Sequence, residues 1–282
     1  MKPILLITAI LFNAPMLSSY AKGTKMLYGQ DDRYQVVNST PMRNSIMAQV
    51  SKSKVDLKNL KFKNFISLAK RHNLCADEKY AQEPSISECT SFVIGNDLIA
   101  TAGHCLFING KNDKENCEEH LWVMNYTINS KLSKSDLYGC KEVIRIGADP
   151  DEYWDYAIIR LDREIKGAQK LTLTERLPIL GDNLTSIGFP LGAPMKVSPV
   201  GKYFGLEEDL PIYSLDLFQG NSGSPIINQN QEVFAIHIMG PSDAIYYDSK
   251  SKCNRYNRCE PNQSSCQKNL GFPFREIGIS FK

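Results

Sequence analysis

The chain has 282 residues, 42% of them hydrophobic and 23% charged, with a formal net charge of only +2. That length carries a sizeable core, as one large domain or two packed halves. No basic patch interleaved with aromatics marks a nucleic-acid binder, and the spread of Lys58, Lys61, Lys63, Lys70 and Arg71 reads as a solvated face.

In chain order, the first element is an export signal. Lys2 precedes the apolar run "ILLITAILF" (Ile4 to Phe12), and Pro15 and "LSSYA", ending at Ala21, follow. A positive start, a short apolar stretch and small residues at a cut site define a signal peptide over residues 1–21. The run is too short to span a bilayer. No cysteine follows Ala21, so no lipid anchor is indicated; the folded domain is expected over 22–282 outside the membrane, secreted or periplasmic, with the mature chain starting at Lys22, near Met26 or after a longer pro-segment. Eight cysteines, an even count, fit an oxidising compartment and up to four disulfides. Cys253, Cys259 and Cys266 are close in sequence, but they lack the paired spacing and nearby histidines of a zinc module, so no metal is expected.

From Lys22 to about Glu88 the pattern is mixed: "YGQDDRYQVVN" reads as a turn and a short strand, and Leu57 to Leu74 is loosely helical. After Cys89 come short β-branched or aromatic runs: Thr90–Gly95, Leu98–Gly103, His120–Tyr126, Val143–Gly147, Ala157–Leu161, Leu184–Pro190, Ser224–Gln229 and Glu232–Gly240. Pieces rich in Gly, Asn and Asp separate them, which argues for an all-β antiparallel sandwich or barrel. Pro241 to Asn269 is polar, turn-rich and holds three cysteines, as a stapled surface insertion does.

Three motifs carry chemistry: "TAGHC" with His104, "WDYAIIRL" with Asp155 and "GNSGSP" with Ser222. Singly, each residue has a plainer reading as a packed histidine, a turn-capping aspartate and a loop serine. Jointly they form a nucleophile, a base with a pKa near neutrality and an orienting carboxylate. Gly220 and Gly223 allow a sharp turn around the serine, so that the N–H groups of Gly220 and Ser222 face a developing oxyanion.

These motifs, in the order His104, Asp155, Ser222, resemble those of chymotrypsin-fold serine proteases. The α/β-hydrolase order and its G-x-S-x-G elbow do not fit, because Ser224 stands where the last glycine belongs. "YGQDDR", "GNSGSP" and "AIHIMG" are most similar to the bacterial glutamyl endopeptidase, or V8-like, branch, over about Gly29 to Phe281. The resemblance implies two packed six-stranded antiparallel β-barrels with the active site in the cleft between them. The barrels are expected at about 80–165 and about 166–282. It also implies a monomeric endopeptidase acting on proteins or peptides through an acyl-enzyme, without a cofactor. A disulfide Cys89–Cys105 stapling the histidine loop follows from it. Cys117–Cys140 is the next expected pair, and Cys75 is left to one of the last three cysteines. Asn221, where digestive relatives carry aspartate, has no charge to pair with a newly cut N-terminal amine.

Substrate choice stays open at this point. In trypsin-like relatives an aspartate six residues before the serine lies at the base of the S1 pocket; Asp216 keeps that offset, which leans toward Arg or Lys at P1. His237 lies at the offset where glutamyl endopeptidases bind an acidic P1, but Leu217 replaces their threonine. Gly240 is placed to offer backbone bonds to the substrate. Asp216 as a mere loop cap, a narrow-specificity toxin and a non-catalytic binding protein on the same scaffold are the competing readings.

Overall fold

The computed structural model describes residues 27–63, 65–107, 112–149, 154–241, 244–259, 266 and 268–278. The expected signal peptide lies outside the described residues. Twelve strands build the frame: β1 (Ile46–Ser51), β2 (Cys89–Val93), β3 (Leu98–Thr101), β4 (His120–Met124), β5 (Leu137–Asp149), β6 (Trp154–Leu161), β7 (Asn183–Gly188), β8 (Lys196–Glu207), β9 (Leu210–Ser214), β10 (Pro225–Ile227), β11 (Val233–Met239) and β12 (Asn269–Pro273).

They close into two six-stranded antiparallel barrels. The first runs in the order β1-β2-β3-β6-β5-β4, with β4 returning to β1. The second runs β7-β8-β9-β12-β11-β10, with β10 returning to β7. The two strand orders are the same permutation, six strands apart. Closure leaves no free sheet edge within either ring. The barrels share one apolar core, and rings from both halves meet across it: Tyr156 of β6 stacks on Phe272 of β12 with centroids 5.1 Å apart.

Eight of the twelve strands coincide with the runs read from sequence. The others, β1, β8, β9 and β12, do not announce themselves. Strand β8 contains Pro199, Gly201 and Gly205, which read as turn residues; here the ladder shifts register between Tyr203 and Gly205. The first barrel begins at Ile46, well before the expected boundary near residue 80, because a long excursion (52–88) separates β1 from β2. The loosely helical stretch within it yields one helix, α1 (Leu68–His72), after a small pairing of 55–56 with 61–62 and between the paired segments 66–67 and 84–85. Leu60, at φ 49°, breaks the helical path upstream.

All eight cysteines pair: Cys75–Cys253, Cys89–Cys105, Cys117–Cys140 and Cys259–Cys266. The cysteine-rich stretch after β11 contains a hairpin of Ile245–Asp248 with Cys253–Tyr256. Among the described residues no helix is long and apolar enough to cross a membrane.

Candidate active site

His104 sits on a single 3-10 turn (Gly103–Leu106) directly after β3. The neighbouring Cys105 is bonded to Cys89 at the start of β2, which ties the turn down from behind. Asp155 stands near the start of β6, opposite Ala148 of β5. Both of its oxygens turn to His104: Oδ1 accepts the backbone N–H at 2.9 Å and Oδ2 lies 2.7 Å from Nδ1. A carboxylate only accepts, so Nδ1 carries the proton and Nε2 is left with its lone pair. His104 is 46% exposed and Asp155 20%. A ring nitrogen of His104 lies within 4.8 Å of the sulfurs of Cys89 and Cys105, but those sulfurs are bonded to each other and hold no metal.

Ser222 comes from the other barrel, in the turn between β9 and β10. Gly220 (φ 93°) and Gly223 (φ 86°) adopt the left-handed conformation that side chains resist. At Gly223 a Cβ would also lie 2.0 Å from the carbonyl oxygen of Thr90. The turn is pinned across the barrel boundary. Thr90 of β2 donates its N–H to the Ser222 carbonyl and its hydroxyl to the Gly220 carbonyl, both at 2.8 Å. Asn221 is buried; its side-chain oxygen packs against Gly188, and its Nδ2 has no partner among the described residues. The N–H groups of Gly220 and Ser222 likewise meet no acceptor among the described residues, whereas those of Asn221, Gly223 and Ser224 are all satisfied. One cavity of about 300 Å³ is lined by His104, Ser222, Gly220, Gln219, Leu191 and Gly192.

The model of the trypsin-like peptidase domain matches residues 89–236, just over half of the chain and the whole span from His104 to Ser222. The chain belongs to the trypsin-like peptidase family. It is a serine endopeptidase. Among solved structures it is similar in fold to a Glu endopeptidase, with a TM-score of 0.52 and 17% identity over 89% of this chain and 96% of that one. It is also similar to the VesB protease of Vibrio cholerae, with a TM-score of 0.54 and 14% identity over 87% of this chain and 64% of the VesB chain. No curated protein matches it by sequence.

The peptidase's three remaining candidate residues stand apart from the cavity shared by His104 and Ser222. Asp216 is 4% exposed. Its Oδ1 accepts the backbone N–H of Tyr28 at 3.0 Å, while Oδ2 is buried with no partner among the described residues. Burial pushes this carboxyl up to about 7, against the pull of the Tyr28 N–H and the Arg33 charge. His237 on β11 is 2% exposed, with Nδ1 2.9 Å from the Tyr213 hydroxyl rather than near Asp216. Burial first, then the neighbouring His104, pushes it down to about 3, so it is neutral. Gly240 is half-buried just past the end of β11.

The chain's first described segment proved to matter in ways its sequence did not show. Arg33 is 1% exposed and bonds Asp31 at 2.6 and 2.8 Å. Its guanidinium lies 4.3 Å from the ring centre of Phe218 and 4.9 Å from that of Tyr256. The loop carrying Ser222 therefore leans on a buried cation from residues 27–35. The only sequence signal was the "DDR" triplet within "YGQDDR", and a charged triplet alone is ordinarily solvent-facing.

Proposed function

We propose that Ser222 is the nucleophile of this endopeptidase, His104 its general base and Asp155 the group that holds the base. The observation that carries the reading is the Asp155–His104 pair. With Nδ1–H fixed on the carboxylate, Nε2 is the free basic nitrogen in the cavity shared with Ser222. The Ser222 hydroxyl gives its proton to Nε2 as its oxygen attacks the peptide carbonyl. The oxyanion is met by the unengaged N–H groups of Gly220 and Ser222, worth about 3 kcal/mol each in the transition state. His104 then protonates the leaving amine as the C–N bond breaks. A water molecule, deprotonated by the same nitrogen, hydrolyses the acyl ester and restores Ser222.

For the residue before the scissile bond, the reading is Arg or Lys. A buried carboxylate with one oxygen unpartnered is an expensive arrangement that a guanidinium or ammonium relieves. A neutral, buried His237 is a weaker attractor for an acidic side chain. The chain works in an oxidising compartment, secreted or periplasmic; four disulfides support this.

The test is cleavage-site profiling of a mixed peptide library with the mature protein and its Ser222→Ala variant. Cuts after Arg and Lys that vanish in the variant are expected. Cuts after Glu would transfer the pocket to His237. Cleavage of one protein but no short peptide would make this a dedicated toxin. Absence of any Ser222-dependent cleavage would leave a binding protein on a protease scaffold.

A further inference from the structure

The excursion between β1 and β2 crosses from its own barrel to the other. Cys75 is bonded to Cys253. The N–H groups of Ile86 and Ser87 donate to the Gly192 carbonyl at 2.8 and 3.2 Å, and the Ser85 hydroxyl donates to the Leu191 carbonyl at 2.6 Å. Glu83 holds the buried Lys196 of β8 at 2.6 Å. Helix α1, thus anchored, brings Arg71 and His72 to the wall of the cavity that contains His104 and Ser222.

The charges on that wall do not cancel. Glu88 also lines the cavity, but its two oxygens are taken by Lys54 and His120, each at 2.7 Å. Burial raises this carboxyl, yet those two hydrogen bonds outweigh it and hold it near 2, so it is ionised and already compensated. Arg71 donates only to the Ser85 carbonyl and hydroxyl, at 3.0 and 3.3 Å, and has no carboxylate partner among the described residues. His72 adds no charge to this wall: its Nε2 is buried beside the Leu191 backbone, and burial pushes its pKa down.

The side of the scissile bond follows from the chemistry. The base must hand its proton to the leaving amine, so that amine abuts His104, and the chain beyond it enters the space that His104 lines. The loop at 215–218 and the end of β11, on the acyl side, contribute nothing to this cavity.

We propose that the excursion forms a leaving-group subsite that selects a carboxylate side chain at the first or second residue after the scissile bond, with Arg71 as its recognising charge. The proposal rests on Ser222 acting as the nucleophile. A guanidinium with free donors lining the cleft favours an anion over a neutral isostere. Because Arg71 is exposed to solvent, the preference is roughly three- to tenfold in kcat/KM.

The experiment compares peptides of one fixed P1 residue carrying Asp, Asn or Lys at each of the three positions after the scissile bond. Wild type, Arg71→Gln, Arg71→Glu and, as a control on the same helix, Lys70→Gln are measured. Expected is a preference for Asp over Asn in wild type and in the Lys70 variant. Arg71→Gln abolishes it, and Arg71→Glu inverts it toward Lys. An inversion separates recognition from mere disturbance of the wall, since a loosened loop flattens selectivity without reversing its sign. An active wild type that does not distinguish Asp from Asn, or an Arg71→Gln variant that keeps the preference, overturns the proposal while leaving Ser222 as nucleophile. Failure of every peptide to be cut in a Ser222-dependent way overturns both.

Discussion

Two regions of this molecule hold an aspartate against a backbone N–H, and they do opposite things with it. At the barrel interface, Asp155 is partly open to solvent and both of its oxygens are engaged by His104. Behind the Ser222 loop, Asp216 is sealed in, one oxygen bonded to the Tyr28 N–H and the other without a partner among the described residues. The first carboxylate is positioned to steady a neighbour. The second is held at a cost, with burial raising its pKa to about 7. On the proposed function, the difference is that between a group kept satisfied through repeated proton transfer and one that leaves a bond for the ligand to complete.

The comparison is tested most severely at the centre. Ser222→Ala is expected to lower kcat by roughly 10⁵–10⁶-fold in peptide hydrolysis. Its melting temperature should barely move, because the turn is held by backbone contacts to Thr90 and not by the hydroxyl. A large loss of stability would show that Ser222 is a structural residue after all.

Next comes the buried cation behind the loop. Arg33→Met strands Asp31, 6% exposed, without its partner, and should cost about 3–5 kcal/mol in chemical denaturation. It should also lower kcat more than KM changes, measured well below the new melting temperature, since Phe218 loses the surface on which it rests. Unchanged kcat in the folded variant would mean that the loop stands without the N-terminal segment.

A smaller effect sharpens the contrast between the two aspartates. For Asp216 the folded-state pKa, about 7, lies above the ordinary 3.8, so the folded state binds the proton more tightly. The contribution of this group is therefore fully present below about pH 4 and lost as pH rises through about 7. Asp216→Asn keeps an acceptor for the Tyr28 N–H. It should be more stable than wild type at pH 8, by a few kcal/mol at most, and no more stable at pH 4. It should simultaneously lose selectivity for Arg and Lys substrates. In wild type the ratio of Arg-substrate to neutral-substrate kcat/KM should rise as pH passes about 7. Melting curves across that range, with no widening gap, would reveal a cation already paired with Asp216.

The smallest expected change is at Thr90→Val, which removes the hydroxyl bond to the Gly220 carbonyl and the acceptor for the Phe189 N–H while leaving the N–H bond to Ser222. About 1–2 kcal/mol of stability and a modest fall in kcat are expected, read from parallel melting and hydrolysis measurements.

How legible the molecule was depended on how local its signals are. His104, Asp155 and Ser222 each lie in a short motif next to a strand, so residue type and neighbours announce them. Strands β7 and β10 were legible for the same reason. Strand β8 was not, because its proline and glycines imitate turns until partners on both sides are known to tolerate them. Asp216 kept its offset from the serine, but nothing in "LDLFQG" says that Tyr28, 188 residues earlier, donates to it.

The sequence by itself determined the class of fold and the order of the three chemical motifs, since both rest on residue type at short spacing, and the family resemblance those motifs carry implied the pairing of Cys89 with Cys105. Only the tertiary structure decided which barrel wall carries Arg71, where Arg33 is buried, which late cysteine meets Cys75, and how much charge Asp216 can hold. Those are properties of segments far apart in the chain. Their energies come from burial and from partners, and neither exists until the two barrels close against each other.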